Sequence, residues 1–254
     1  MPSNAAEWES IAKDFAMRWQ FPNCLGALDS KHVSFRSARK DGAFYHNYKG
    51  TNSIILLALV DANYRFVFID VGTNGRANDA GVFHRSCLKD ILEKEENLPK
   101  DSLVGRGRNL PYVIVGDDAF PLQKHIMKPY PYHTKNIKRQ IFTLRLSRAR
   151  PVVEHVFGMI CNRFRVLLTI INLKVETVEK IVSACIVLHN FLLQVDNTYV
   201  SSLRETPDIS NTPPASLDIP NNPRKGVAEA IRKNFTEYFN EEGRIDWMNR
   251  KYNL

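Results

Sequence analysis

Three acids in this chain, Asp29, Asp117 and Glu154, sit where chemistry explains them better than structure does. Asp29 closes the short apolar run Leu25 to Leu28, and Asp117 closes Pro111-Tyr112-Val113-Ile114-Val115-Gly116; both runs read as strands. Glu154 lies off the main part of an apolar stripe at helical spacing. Open α/β sheets present ligand-binding side chains at the carboxyl ends of their strands, so two strand-end acids and one helical acid can converge. Converged carboxylates repel one another unless a cation joins them. Mg²⁺ does this with few protein carboxylates and keeps other positions for water and phosphate. A pair of such ions about 3.5–4 Å apart can activate water and stabilise the leaving oxygen of a phosphodiester. Asp118 competes with Asp117 for the second position, and spacing alone leaves solvated acids as the alternative.

The charge pattern bears on the same chemistry. Of 35 Lys and Arg, nine fall within residues 131–175 beside a single acid, Glu154, so this stretch holds the whole net charge of +8. Clustered cations create a local field that a polyanion can use, and Lys135, Lys138, Arg139, Arg145, Arg148 and Arg150 are the candidate DNA contacts. The bland reading is a solvated basic loop. With 44% hydrophobic residues, 12 Gly and four widely spaced Cys, the chain is neither disordered, collagen-like nor a disulfide scaffold. Reduced, mostly buried thiols are expected. No secretory leader and no run of 18 apolar residues are read, so neither secretion nor a membrane partner is expected.

The elements that must position these groups follow from periodicity. Trp8, Ile11, Ala12, Phe15 and Trp19 mark a first helix that Pro22 stops. Residues 41–50 read as an aromatic, polar loop. Ser53–Val60 and Arg65–Val71 flank the turn Asp61-Ala62-Asn63-Tyr64 as a hairpin of buried strands. Asp79 suits the N-cap of a helix running through Val82, Phe83, Cys87 and Leu88. Residues 94–110 read as a surface excursion. Val152, Val153, Val156, Phe157, Ile160 and Phe164 predict a helix from Ser147 to Phe164, and Thr177 to Leu193, apolar on nearly all sides, predicts a core helix. His189 within it reads as a hydrogen-bonded core residue. His32 and His155 are read as structural. Residues 196–225, with five prolines, predict a linker, and Val227, Ile231, Phe235 and Phe239 an amphipathic helix in 226–254.

Seven segments then occur in order: Cys24-Leu25-Gly26-Ala27-Leu28-Asp29-Ser30-Lys31-His32-Val33, Tyr45-His46-Asn47-Tyr48-Lys49-Gly50, Val60-Asp61-Ala62, Asp70-Val71-Gly72, Val115-Gly116-Asp117-Asp118-Ala119-Phe120-Pro121-Leu122, Leu146-Ser147-Arg148-Ala149-Arg150-Pro151-Val152-Val153-Glu154, and Leu188-His189-Asn190-Phe191-Leu192. Together they resemble the DDE-type domain of the PIF/Harbinger transposases and the nuclease-like proteins derived from them, over residues 7–195.

The resemblance implies an α/β, RNase H-like fold that cuts DNA with Mg²⁺ or Mn²⁺ held by an Asp-Asp-Glu set. Matched by motif, Asp29, Asp117 and Glu154 are its catalytic metal ligands, and Asp79 is a further acidic position that binds metal. It also implies a nuclear setting, with the cytoplasm as the alternative, and a Myb-like DNA-binding companion protein. Family members commonly carry Gly where this chain has Ser30, and full-length transposases carry an N-terminal helix-turn-helix region, whereas about 20 residues precede the first motif here. The competing expectation is a domesticated, catalytically silent DNA- or protein-binding module on the same fold. A phosphatase acting on a small ester comes third, because the basic segment favours DNA.

Overall fold

The computed structural model describes residues 1–38, 42–105, 107–196, 198–200 and 225–245. The predicted linker therefore lies almost wholly outside the described residues, as does the tail after 245. Five strands form a mixed sheet in the order β3-β2-β1-β6-β7, with β1 Cys24–Ser34, β2 Ser53–Val60, β3 Phe66–Asn74, β6 Val113–Val115 and β7 Ile126–Met127. β6 pairs parallel with β1, β7 parallel with β6, and β3 antiparallel with β2. The chain divides into two compact units, Met1–Ala27 with Ile91–Pro151 and Ala215–Leu254, and Leu28–Asp90 with Val152–Pro214.

The first unit starts with α1, Ala5–Trp19, whose Asn4 cap accepts the Glu7 N–H and whose Trp8, Ala12 and Phe15 are buried. The 94–110 stretch is more than a surface excursion, because it carries a small hairpin, β4 Ser102–Val104 and β5 Arg108–Leu110. The basic stretch contains an unpredicted helix, α5 Ile137–Ala149, capped by Asn136, which accepts the Arg139 N–H. What was expected as one helix from Ser147 is thus the end of α5 followed by α6, Pro151–Arg163, which spans the boundary of the two units; a proline tolerates only a first turn, so α6 begins at Pro151.

The C-terminal helix, here Lys225–Asn240 and labelled α8, is part of this unit's core and not an appendage. Phe235 and Phe239 are fully buried, with ring centroids 5.7 and 5.0 Å from that of Phe21. Each such ring contributes about 2–3 kcal/mol by leaving water. Arg108 fastens the same helix through Glu237, Glu241 and Glu242.

In the second unit β2 is buried along its whole length, and β3 is only half-buried along most of its length. The predicted long helix after Asn78 is two helices, α3 Asp79–Arg85 and α4 Cys87–Lys94, with Ser86 between them donating its hydroxyl to the Phe83 carbonyl. A single helical turn, α2 Gly42–Tyr45, replaces part of the expected loop. Helix α7, Val175–Val195, buries Val178, Val182, Cys185, Ile186 and His189 but leaves Val187 65% and Phe191 55% exposed. Only one of its sides packs against β3, so the expectation of a helix buried all round is corrected. By length and composition α7 is apolar enough to cross a membrane. All four cysteines are free; Cys24, Cys161 and Cys185 are buried and Cys87 is exposed.

Candidate functional site

Asp29 does not end its strand. It is the sixth of eleven residues in β1, which continues through Ser30-Lys31-His32-Val33 because Val33 is buried and Phe35 beyond it bridges to Ile171. Successive side chains of a strand point to opposite faces, so Asp29 and Lys31 share one face and Ser30 and His32 the other.

On the Ser30 face the Ser30 hydroxyl donates to Asp79 Oδ1. The cap role expected of Asp79 belongs instead to Asn78, which accepts the Gly81 N–H at 2.8 Å and leaves the Asp79 carboxylate for Ser30. His32 Nδ1 is 2.8 Å from Ser53 Oγ, and Ser53 Oγ accepts Asn47 Nδ2–H at 2.8 Å. The Ser53 hydroxyl thus links the His32 ring to the Asn47 amide. Burial holds the His32 pKa below its ordinary value, Lys49 adds to that, and Asp79 opposes it. Gly75 closes this side: its N–H donates to the Ser53 carbonyl at 2.8 Å, and a Cβ there would fall 2.2 Å from Ser53 Oγ.

On the Asp29 face, Asp29 Oδ1 accepts the Ser30 N–H at 2.7 Å. Burial raises the Cys161 pKa and Lys31 works against that rise. Glu154 lies seven residues before Cys161, two turns earlier on the same side of α6. An acid in a first helical turn is also favoured by the helix dipole, the purely structural account of Glu154.

In the first unit Asp117 comes two residues after β6. Its Oδ1 accepts the Ala119 N–H at 2.9 Å, and Lys128 Nζ donates to the carbonyls of Asp118 and Phe120, fixing the loop. Asp117 and Asp118 are both half-buried. Among the described residues no group of three or more His, Cys, Asp or Glu is gathered to hold a metal ion. The donor chemistry still fits a hard cation, because the acids on β1 and α6 offer only carboxylate oxygen, and Mg²⁺ uses one or two protein carboxylates.

The six candidate DNA contacts separate. Lys135, Lys138 and Arg139 are exposed, and Arg148 and Arg150 are half-buried. Arg145 is corrected outright: it is 3% exposed, donates Nη1–H to the Gly243 carbonyl at 2.7 Å and Nη2–H to the Gln20 carbonyl, and lies 4.4 Å from the Phe239 ring centroid. Burial pulls its pKa down to about 10. A guanidinium so enclosed cannot reach a phosphate.

His189 is the core residue expected. Its Nε2–H donates to the Tyr64 carbonyl and its Nδ1 accepts the Tyr199 hydroxyl, both at 2.9 Å. Burial lowers its pKa, with the Tyr64 bond opposing. Asn190 beside it accepts the Phe66 N–H and donates to the Phe66 carbonyl, both at 2.9 Å. Sequence reasoning missed Ser30 and Asn190 as positioning residues. The run of polar residues after Asp29 was the available signal for the first.

A family model described as a DDE superfamily endonuclease matches residues 28–190. The chain is 25% identical over 193 residues to "Protein ALP1-like" of Arabidopsis thaliana, covering 74% of this chain and 48% of that protein. It is 25% identical over 197 residues to "Putative nuclease HARBI1" of Homo sapiens, covering 76% of this chain and 52% of that protein. The chain spans about half the length of the curated relatives it matches. No solved structure matches significantly. The match contains Asp29, Asp79, Asp117 and Glu154, and the 3-2-1-6-7 strand order agrees with an RNase H-like fold. The chain belongs to the DDE superfamily endonucleases.

Proposed function

We propose that this chain is a metal-dependent DNA endonuclease of transposase origin, with Asp29, Asp117 and Glu154 as ligands to Mg²⁺ or Mn²⁺. The observation that carries the reading is that Asp29, Asp79, Asp117 and Glu154 all fall within residues 28–190, the stretch matched by the DDE superfamily endonuclease model. When bound, a divalent ion would lower the pKa of a coordinated water and neutralise charge on the leaving oxygen. Asp29 would hold its carboxylate fixed through the Ser30 N–H, Asp117 through the Ala119 N–H. Asp79 would act from the Ser30 face, as an outer acid that orients Ser30. Lys135, Lys138 and Arg139 would bring the DNA backbone to the chain, in the nucleus and with a Myb-like companion protein.

Nicking of supercoiled plasmid in Mg²⁺ or Mn²⁺ tests the reading. Asp29→Ala, Asp117→Ala and Glu154→Ala should each lower the rate by at least about a hundredfold. Undiminished nicking by all three would end the assignment. A second reading, a DNA- or protein-binding module without turnover, is favoured by the lack of a gathered three-acid group among the described residues. It predicts salt-dependent DNA binding and no metal-dependent nicking by the unaltered chain.

A further inference from the structure

The loop that follows α2 is built to present an aromatic ring. Asn47 is only 4% exposed and organises the turn with its side chain: Oδ1 accepts the N–H groups of Lys49 and Thr51 at 2.9 and 3.2 Å, while Nδ2 donates to Thr51 Oγ1 and Ser53 Oγ at 3.0 and 2.8 Å. The Asn47 N–H donates to the Thr51 carbonyl at 2.8 Å, and Gly50 supplies the positive φ of 79° that lets the chain reverse. Tyr45, behind the turn, is wedged between Phe35 and Phe44 at 5.0 and 4.9 Å between centroids. This rigid frame buries Asn47 and leaves Tyr48 80% exposed, although its ring touches that of His32 and lies 5.4 Å from Lys49 Nζ.

An exposed aromatic on a fixed turn has no folding role that would require it, since solvating the ring forfeits its burial energy. A cavity of about 390 Å³ lies on the same loop, lined by Phe35, Arg36, His46, Gly50, Thr51, Asn52 and Ile170. Its walls offer two apolar side chains, one guanidinium and one imidazole, with no carboxylate among them. That combination suits an anion such as the phosphate of a nucleotide whose base lies outside this lining, against Tyr48. Asn52 Oδ1, within this lining, has no hydrogen-bond partner.

We propose that the 44–52 loop holds one unpaired nucleotide of a DNA strand, its base stacked on Tyr48 and its phosphate on Arg36 and Lys49. The base must be unpaired, because both faces of a duplex base are already stacked on its neighbours. The proposal rests on the reading of the chain as a DNA-acting protein. It adds a substrate form, a single-stranded or distorted region beside the Ser30 face of β1, whose His32 ring meets the Tyr48 ring edge-on at 5.6 Å between centroids.

Single-stranded DNA carrying 2-aminopurine, titrated onto the full chain without divalent metal, tests it separately from cleavage. Stacking should quench the probe; Tyr48→Ala should abolish the quench and weaken binding about tenfold, while Tyr48→Phe keeps both. Arg36→Gln should lower the salt dependence of log affinity by about 0.7, the value for one phosphate on a single strand. Because Tyr48 is exposed, neither tyrosine variant disturbs the fold. Quenching equal in Tyr48→Ala and the unaltered chain overturns the proposal, whatever the plasmid assay shows. Tyr48-dependent quenching with no nicking leaves the proposal standing and removes only the nuclease reading.

Discussion

Arg145 and Lys49 show how differently the two units use their cations. In the first unit three arginines turn inward: Arg145 is enclosed by two carbonyls and a ring, Arg108 grips three glutamates, and Arg232 lies 4.0 Å from the Tyr130 ring centroid. All three hold or belong to α8. In the second unit Lys49 and Arg36 stay at the surface, Lys49 over the ring of an exposed tyrosine. A positive residue count therefore does not locate a polyanion site. Of the segment with the whole net charge, part works as internal scaffolding, and it is the accessible part that can meet phosphate.

The sharpest way to break this contrast is Arg145→Ala. It strips two buried carbonyls of their donor and should cost about 3 kcal/mol in urea unfolding, with DNA affinity of the folded protein unchanged. A loss of DNA affinity at full stability would put Arg145 back among the surface cations. Asn190→Ala removes both bonds to Phe66 and should cost about 2 kcal/mol, seen as faster hydrogen exchange at Phe66 and its neighbours on β3. Exchange that speeds up equally in the first unit would mean that the two units do not open separately. The triple change Lys135→Gln, Lys138→Gln and Arg139→Gln should leave stability within about 0.5 kcal/mol. It should also reduce the salt slope of duplex binding by up to about 2.7, because each phosphate that a cation neutralises adds about 0.9 to the slope.

The smallest effect expected is on acidification. Burial holds the pKa values of His32 and His189 below the ordinary histidine value, so the unfolded chain binds more protons as pH falls below about 6.5. Their contribution is complete above that pH and is lost as pH falls toward the folded values. Hydrogen exchange should show the second unit loosening between pH 7 and pH 5, less so in His189→Gln. A loosening confined to the first unit would contradict this.

Much of the fold was legible because periodicity and burial agree. Ser53–Val60 is an uninterrupted apolar run and is β2, buried throughout. Helix α5 escaped because its inward stripe, Ile141, Phe142, Arg145, Leu146 and Ala149, carries an arginine at its centre, and a charge there reads as surface. Helix α7 misled in the opposite direction: its composition is apolar all round, but only one side meets β3. For the site, strand-end acids could be picked from local pattern, whereas the partners that orient them are distant in sequence. Ser30 finds Asp79, His32 finds Ser53, and no local periodicity encodes either pairing.

The seating of Phe21 against Phe235 and Phe239 has a consequence for how the protein is made. During synthesis the second unit can gather its strands, α6 and α7 while α8 is still untranslated. The first unit must keep Phe21 and Phe142 uncovered through that whole interval, since their partner ring Phe239 emerges only with α8. A ribosome paused before residue 225 would thus carry one nearly finished unit and one with an open aromatic cleft, the form on which chaperones would act.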